Sequence, residues 1–273
     1  MKTFFYLALS AGIATVAFSQ TLNVTNLPEA VQKTMQTEAA GGTIADVQTK
    51  EEDGETRYSA TISKGDEDRD ITVAEDGTLR SKEIPIEQAP PVVRDTINKT
   101  VGNATLDSIE KDIDDGKANY DVDMTTQSGV TRDFTVEEDG HISSQQIALE
   151  DVPLAARDSI DAEVNRISVK IGCIYRVKDE DGTSYDIEIQ RRGKNAEFSV
   201  SQDGKLESVE VFPEELPAVG QRTLRQRIAG GKLSRIDKEF DEDNKFMYHV
   251  EARKNGKPFD FMIGPGGRFR GME

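Results

Sequence analysis

The chain has 273 residues, a formal net charge of −17, two histidines, one cysteine and no tryptophan. An acidic excess of this size repels phosphate backbones and excludes nucleic acid as a partner. The lone Cys173 cannot build a disulfide framework, so stability must come from apolar cores; in "VKIGCIYRV" (169–177) it reads as a small buried hydrophobe.

Residues 1–19 read as a secretory signal peptide. Lys2 supplies the basic start, Phe4 to Phe18 the apolar run, and Ala17 and Ser19 the small residues of a cleavage site before Gln20. No cysteine follows the run to carry a lipid anchor, and no later segment reaches membrane length. The mature chain is expected in the periplasm or outside the cell, cleaved after Ser19. Its charge is uneven: residues 216–273 hold 12 Lys/Arg against 8 Asp/Glu, whereas everything before them is strongly acidic.

Four proline phrases then open four similar stretches: "LPEAVQKTM" at 27, "APPVVRDTI" at 89, "VPLAARDSI" at 152 and "LPAVGQRTL" at 216. Repeats at a spacing of 62 to 64 residues mark copies of one structural unit. In the first phrase Pro28 suits a helix start, and Leu27, Val31 and Met35 share one helical face. Ile97, Ile160 and Leu224 take the place of Met35. Each phrase is followed by a polar turn and a tyrosine strand of period two, in which Tyr58, Ala60 and Ile62 face one way and Ser59 and Thr61 the other. Tyr120, Val122 and Met124 alternate with Asp121 and Asp123, and Tyr185, Ile187 and Ile189 with Asp186 and Glu188. A second strand ("RDITV", "RDFTV", "AEFSV", "FDFMI") and a closing phrase complete each copy. The closing phrases are "VAEDGTLRSKEI" (73–84), "VEEDGHISSQQI" (136–147), "VSQDGKLESVEV" (200–211) and the worn "IGPGGRFRGME" (263–273).

The fold class is therefore α+β, in four tandem units of one helix packed on about four antiparallel strands. The expected boundaries are 20–88, 89–151, 152–215 and 216–273, after the signal peptide at 1–19. A lone unit near sixty residues is marginal, and the short links "IPIEQAPP" and "FPEELP" keep neighbours together, by sheet edges or by side-to-side packing.

A leading "LPEAV" helix, a "DG…Y" hairpin and a "V..DG.L" closing hairpin together resemble the PepSY and PepSY-like domains of secreted bacterial proteins, and the wider fold is similar to the tandem units of the beta-lactamase inhibitory protein. The resemblance runs from Leu27 to the end of the chain. It implies an extracytoplasmic, non-catalytic module whose roles include peptidase inhibition or regulation, and it carries no catalytic residue across. The fourth copy departs from the pattern, with Gly266-Gly267 in place of Asp-Gly.

"DIDDGKANYDVD" from Asp112 comes nearest to a calcium loop, but Gly116 falls at position five rather than six and Asp123 replaces the final Glu. The Asp-Gly pairs read instead as hairpin turns, leaving weak, unspecific divalent-cation binding as the role open to the clustered acids. Tyr58, Tyr120, Tyr185 and Tyr248 read as core residues. His141 matches Thr78, Lys205 and Arg268 in the other copies, and His249 matches Ser59, Asp121 and Asp186. Neither position is chemically constant, and neither has the context of a catalytic base. No zinc spacing and no phosphate loop occurs. The sequence thus assigns no catalytic, cofactor-binding or metal-binding residue, no cofactor and no enzymatic activity. It predicts a secreted or periplasmic binding protein with a protein partner, a peptidase foremost. The alternative is an acidic cation-binding or envelope-associated structural protein anchored by its basic last unit.

Overall fold

In the computed structural model the described residues are 23–52, 55–114, 116–179, 182–254 and 257–271. The predicted signal peptide lies outside them, as do Asp53-Gly54, Asp115 and Asp181 of the polar turns. Among the described residues no helix is long and apolar enough to cross a membrane.

The element order repeats four times. First come α1 (Glu29–Ala39) and strands β1 (Thr43–Glu52), β2 (Glu55–Lys64), β3 (Glu67–Ala74) and β4 (Leu79–Glu83). Then come α2 (Pro91–Val101) and β5 (Thr105–Asp114), β6 (Lys117–Thr125), β7 (Thr131–Glu137) and β8 (Ile142–Ile147). The third set is α3 (Leu154–Ile167) with β9 (Ile171–Asp179), β10 (Gly182–Arg191), β11 (Lys194–Ser201) and β12 (Leu206–Glu210). The fourth is α4 (Ala218–Arg227) with β13 (Lys232–Phe240), β14 (Phe246–Lys254), β15 (Lys257–Ile263) and β16 (Phe269–Gly271). All sixteen strands join one antiparallel sheet in chain order. Of the two modes of contact expected between neighbours, the sheet edge is the one used: Ser81 pairs with Asp112, Ser144 with Val177 and Ser208 with Glu239.

Each helix lies on its own four strands over a separate core. Val93 and Ile97 meet Tyr120, Val122, Phe134 and Val136; Ala156 and Ile160 meet Tyr185, Ile187, Phe198 and Val200. The four repeated tyrosines are all buried, as their alternation required. Each first strand carries a register shift near its start, for example between Leu106 and Ser108, and each closing hairpin carries another, as between Thr135 and Val136. Bulges of this kind bend the bulged strand and increase the local twist.

The closing hairpins explain the repeated phrase. Asp76 and Asp139 each accept a backbone N–H two residues on, at 2.8 Å. The following glycine sits at φ +88° in Gly77 and +87° in Gly204, against the first turn of its own helix. A helix hydroxyl then binds that glycine's carbonyl in all four copies: Thr34 to Gly77 at 2.6 Å, Thr96 to Gly140 at 2.9 Å, Ser159 to Gly204 at 2.5 Å and Thr223 to Gly267 at 2.7 Å. The turn is thus a helix dock. Replacing Thr96 by Val keeps the shape and removes one part-buried hydrogen bond, so urea unfolding should show a loss of about 1 kcal/mol; an unchanged midpoint would remove the clamp from the account.

Candidate functional site

The helices cover one face of the sheet and leave the other open. Side chains alternate, so the open face is written by the polar residue between each pair of core residues. Small hydroxyls form its floor: Ser81, Thr135, Ser144, Ser199 and Ser208 are buried there although no helix covers them. Longer carboxylates from neighbouring strands close over them.

The first cluster lies on the strands of the second helix-and-hairpin segment and is touched by the third. Thr135 Oγ1 donates to Asp121 Oδ1 at 2.6 Å, Ser108 Oγ to Asp123 Oδ2 at 2.8 Å, and Tyr175 O–H, from the next segment, to Asp133 Oδ1 at 3.3 Å. Burial, followed by a hydrogen bond with Asp121 and the charges of Asp121 and Glu110, holds the Asp112 carboxyl far above its ordinary value. Burial and the charge of Asp123 push Asp133 up to about 6. The nearest match to a calcium loop is accordingly a β-hairpin, with Asp112 facing Asn119 across the β5–β6 ladder.

A second cluster spans the third and fourth segments. Asp186 is raised by burial and by Glu197, and Glu210 is pushed up to about 7, chiefly by burial. Arg235 is the cation among them. Its Nε donates to both oxygens of Asp237, at 2.9 and 2.7 Å, and its Nη2 to Glu197 at 3.0 Å.

His249 lies at the far end of the face. Its Nδ1 is 3.1 Å from Glu239 Oε1 and its Nε2 is 3.3 Å from Asp260 Oδ2. The hydrogen bond and charge of Glu239, with that of Asp260, outweigh burial and raise it to about 9. It is an imidazolium with both nitrogens engaged, so it offers no free nitrogen to act as a base at neutral pH. His141 is an exposed turn residue.

Cys173 departs from the expected core position. It is half-buried on the open face, where Gln146 Nε2 lies 3.1 Å from its sulfur, because its strand parity is that of Tyr175 rather than that of Ile174. Burial, with the charge of Glu188, raises its pKa and keeps it a thiol.

The wet-face acids Asp121, Asp123, Asp186 and Glu188 were visible in the alternation. Their convergence with Asp112, Asp133, Glu197 and Glu210 was not, because it depends on strand order and register. Among the described residues no group of three His, Cys, Asp or Glu is arranged to hold a metal ion. Chemically, the face can share protons among its carboxylates and accept hydrogen bonds from cationic groups.

The family model described as "Putative beta-lactamase-inhibitor-like, PepSY-like" matches the chain twice, at residues 17–81 and 78–143. No curated protein matches it. Solved structures similar to it include a DUF2874 family protein from Bacteroides ovatus, with 13% identity, TM-score 0.32, and coverage of 42% of this chain and 84% of that one. A "putative periplasmic protein" of the DUF2874 family from Bacteroides vulgatus has 13% identity and TM-score 0.31, covering 46% of this chain and 95% of its own. A BLIP-like protein from Bacteroides fragilis has 17% identity and TM-score 0.31, covering 45% and 84%. Residues 17–143, which take in the first two helix-and-hairpin segments, thus match the PepSY-like family model twice over.

Proposed function

We propose that the protein is an extracytoplasmic, non-catalytic binding protein of four PepSY-like units, 20–88, 89–151, 152–215 and 216–273, and that it holds a protein partner on the open face of its sheet. The observation that carries this reading is the set of carboxylates packed on that face against their own titration preference, from Asp112 to Glu210. Perturbed groups gathered on one surface are candidates for a functional position, and a cationic partner would relieve their repulsion. The leading segment before Gln20 supports export. The inhibitor-like description of the family makes secreted hydrolases, peptidases first, the partner class to test.

The test uses the mature chain immobilised against native envelope extract and a peptidase panel. Wild type and Thr96→Val, which alters only the helix side, should retain the same protein or inhibit the same enzyme. The double variant Asp186→Asn with Glu188→Gln should lose at least half of that retention. Equal retention by the double variant, or no retention and no inhibition by wild type, overturns the reading.

A further inference from the structure

On the helix side, where the third and fourth segments meet, a cleft of about 540 Å³ opens away from the acidic face. Arg166, Val169, Val211, Lys238, Phe240 and Tyr248 line it. α3 runs for 14 residues, against 11, 11 and 10 in the other helices, and its last turn carries Arg166 into one wall of the cleft.

The charges of the cleft do not balance. Arg166 is bound through two nitrogens to Glu163, and Arg191 to Glu215. Arg192 lies 3.6 Å from both Glu214 and Glu215. Lys238 is the cation left over. Among the described residues no carboxylate lies within ion-pair distance of it, and its ammonium instead lies 4.0 Å from the ring centroid of Phe246 and 4.7 Å from that of Phe240. Burial, then the charge of Arg166, hold its pKa below the usual lysine value. An ammonium held on aromatic faces beside a guanidinium is a ready partner for an anion.

We propose that this cleft binds a small amphiphilic anion, with its carboxylate or sulfonate on Lys238 beside Arg166 and its apolar body against Val169, Val211, Phe240 and Tyr248. The chain as a whole repels anions, so the cleft would select for ligands with enough apolar surface to repay their approach. The site is on the opposite side of the sheet from the acidic face and stands or falls independently of it.

The experiment titrates the mature chain with anilinonaphthalene sulfonate by fluorescence and with decanoate as competitor. A single saturable site is expected, weakened about tenfold or more in Lys238→Met, which keeps the stem and loses the charge. It should be retained in Lys238→Arg. Lys111→Met, at the matching position beside Tyr120, should bind as wild type does. A second measurement needs no variant: decanoate should slow reductive methylation of Lys238 and not of Lys111. Absent binding, an unchanged Lys238→Met, an equal loss in Lys111→Met, or unprotected Lys238 each overturns the proposal. Decanol competing as well as decanoate overturns the anion-specific part. Displacement by a short acidic peptide but not by decanoate would assign the cleft to a protein segment and overturn the small-molecule class.

Discussion

Replacing Gly204 by Ala should cost more than about 3 kcal/mol, among the largest effects of any single methyl group in this protein. Gly204 stands at φ +87°, a region that costs an L-residue roughly 1–2 kcal/mol on its own. The added Cβ would also fall 2.5 Å from the Ala155 carbonyl oxygen and 2.8 Å from its carbon. Those atoms belong to the first turn of α3, so the neighbour cannot yield without moving the helix and pulling Ser159 off the Gly204 carbonyl. Gly129 is the internal control. Its φ is +80°, yet nothing lies within 4 Å of an added Cβ, so Gly129→Ala should show the backbone strain alone, about 1–2 kcal/mol. Urea unfolding of the two variants separates the contributions. Equal losses would mean that the helix does not press on the closing turn, and the dock would have to be abandoned as the reason for the repeated glycine.

That glycine also marks how far the sequence could be read. Asp-Gly between alternating strands was legible as a turn, and Gly266-Gly267 in the fourth copy showed that the acid is dispensable. The glycine is what each copy keeps, and the reason lies in a contact with a residue 49 positions earlier, Ala155 for Gly204, which no local pattern reports. The same division runs through the chain. Helix, hairpin and core tyrosine were legible because period and turn chemistry are local properties. The joining of all strands into one sheet was one of two options, since short links force proximity without choosing a contact. Cys173 was misplaced because a window of apolar neighbours outvoted its parity, and parity decides the face. The alternation shows the acidic residues singly; their clusters depend on β5 lying beside β6, with a register shift between Leu106 and Ser108, and on β10 lying beside β11 in unbroken register. His249 is the sharpest case. Its match to Ser59, Asp121 and Asp186 puts it on the wet face, but Glu239 and Asp260 reach it from the strands on either side, and only that sandwich raises it to about 9.

The open face should make the protein more stable in mild acid than at alkaline pH, with an unfolding free energy that falls by several kcal/mol between pH 5 and pH 9. Asp133 rises from 3.8 to about 6 and Glu210 from 4.5 to about 7; Asp112 and Asp186 move in the same direction, chiefly through burial. His249 rises from 6.5 to about 9 through its two carboxylates. In every one of these groups the folded state holds a proton that the unfolded chain releases earlier. Their contribution is complete below the unfolded value and is lost as pH climbs through the folded one. The carboxylates withdraw it from about pH 4 upward, Asp133 first and Glu210 by about 7, and His249 withdraws its share between 6.5 and about 9. Each proton at issue contributes at most about 1.4 kcal/mol per pH unit within its window. Urea midpoints at pH 5, 7 and 9 and fixed ionic strength measure the sum, and a flat or rising series contradicts the packing described for this face. Asp186→Asn sharpens the test. It removes a charge that burial and Glu197 both oppose, so it should raise stability at pH 8 by about 1–3 kcal/mol and flatten the slope. A substitution that stabilises the fold while weakening partner retention would show carboxylates kept for binding at the expense of stability. One that stabilises the fold and leaves retention intact would make this strained face a structural feature alone.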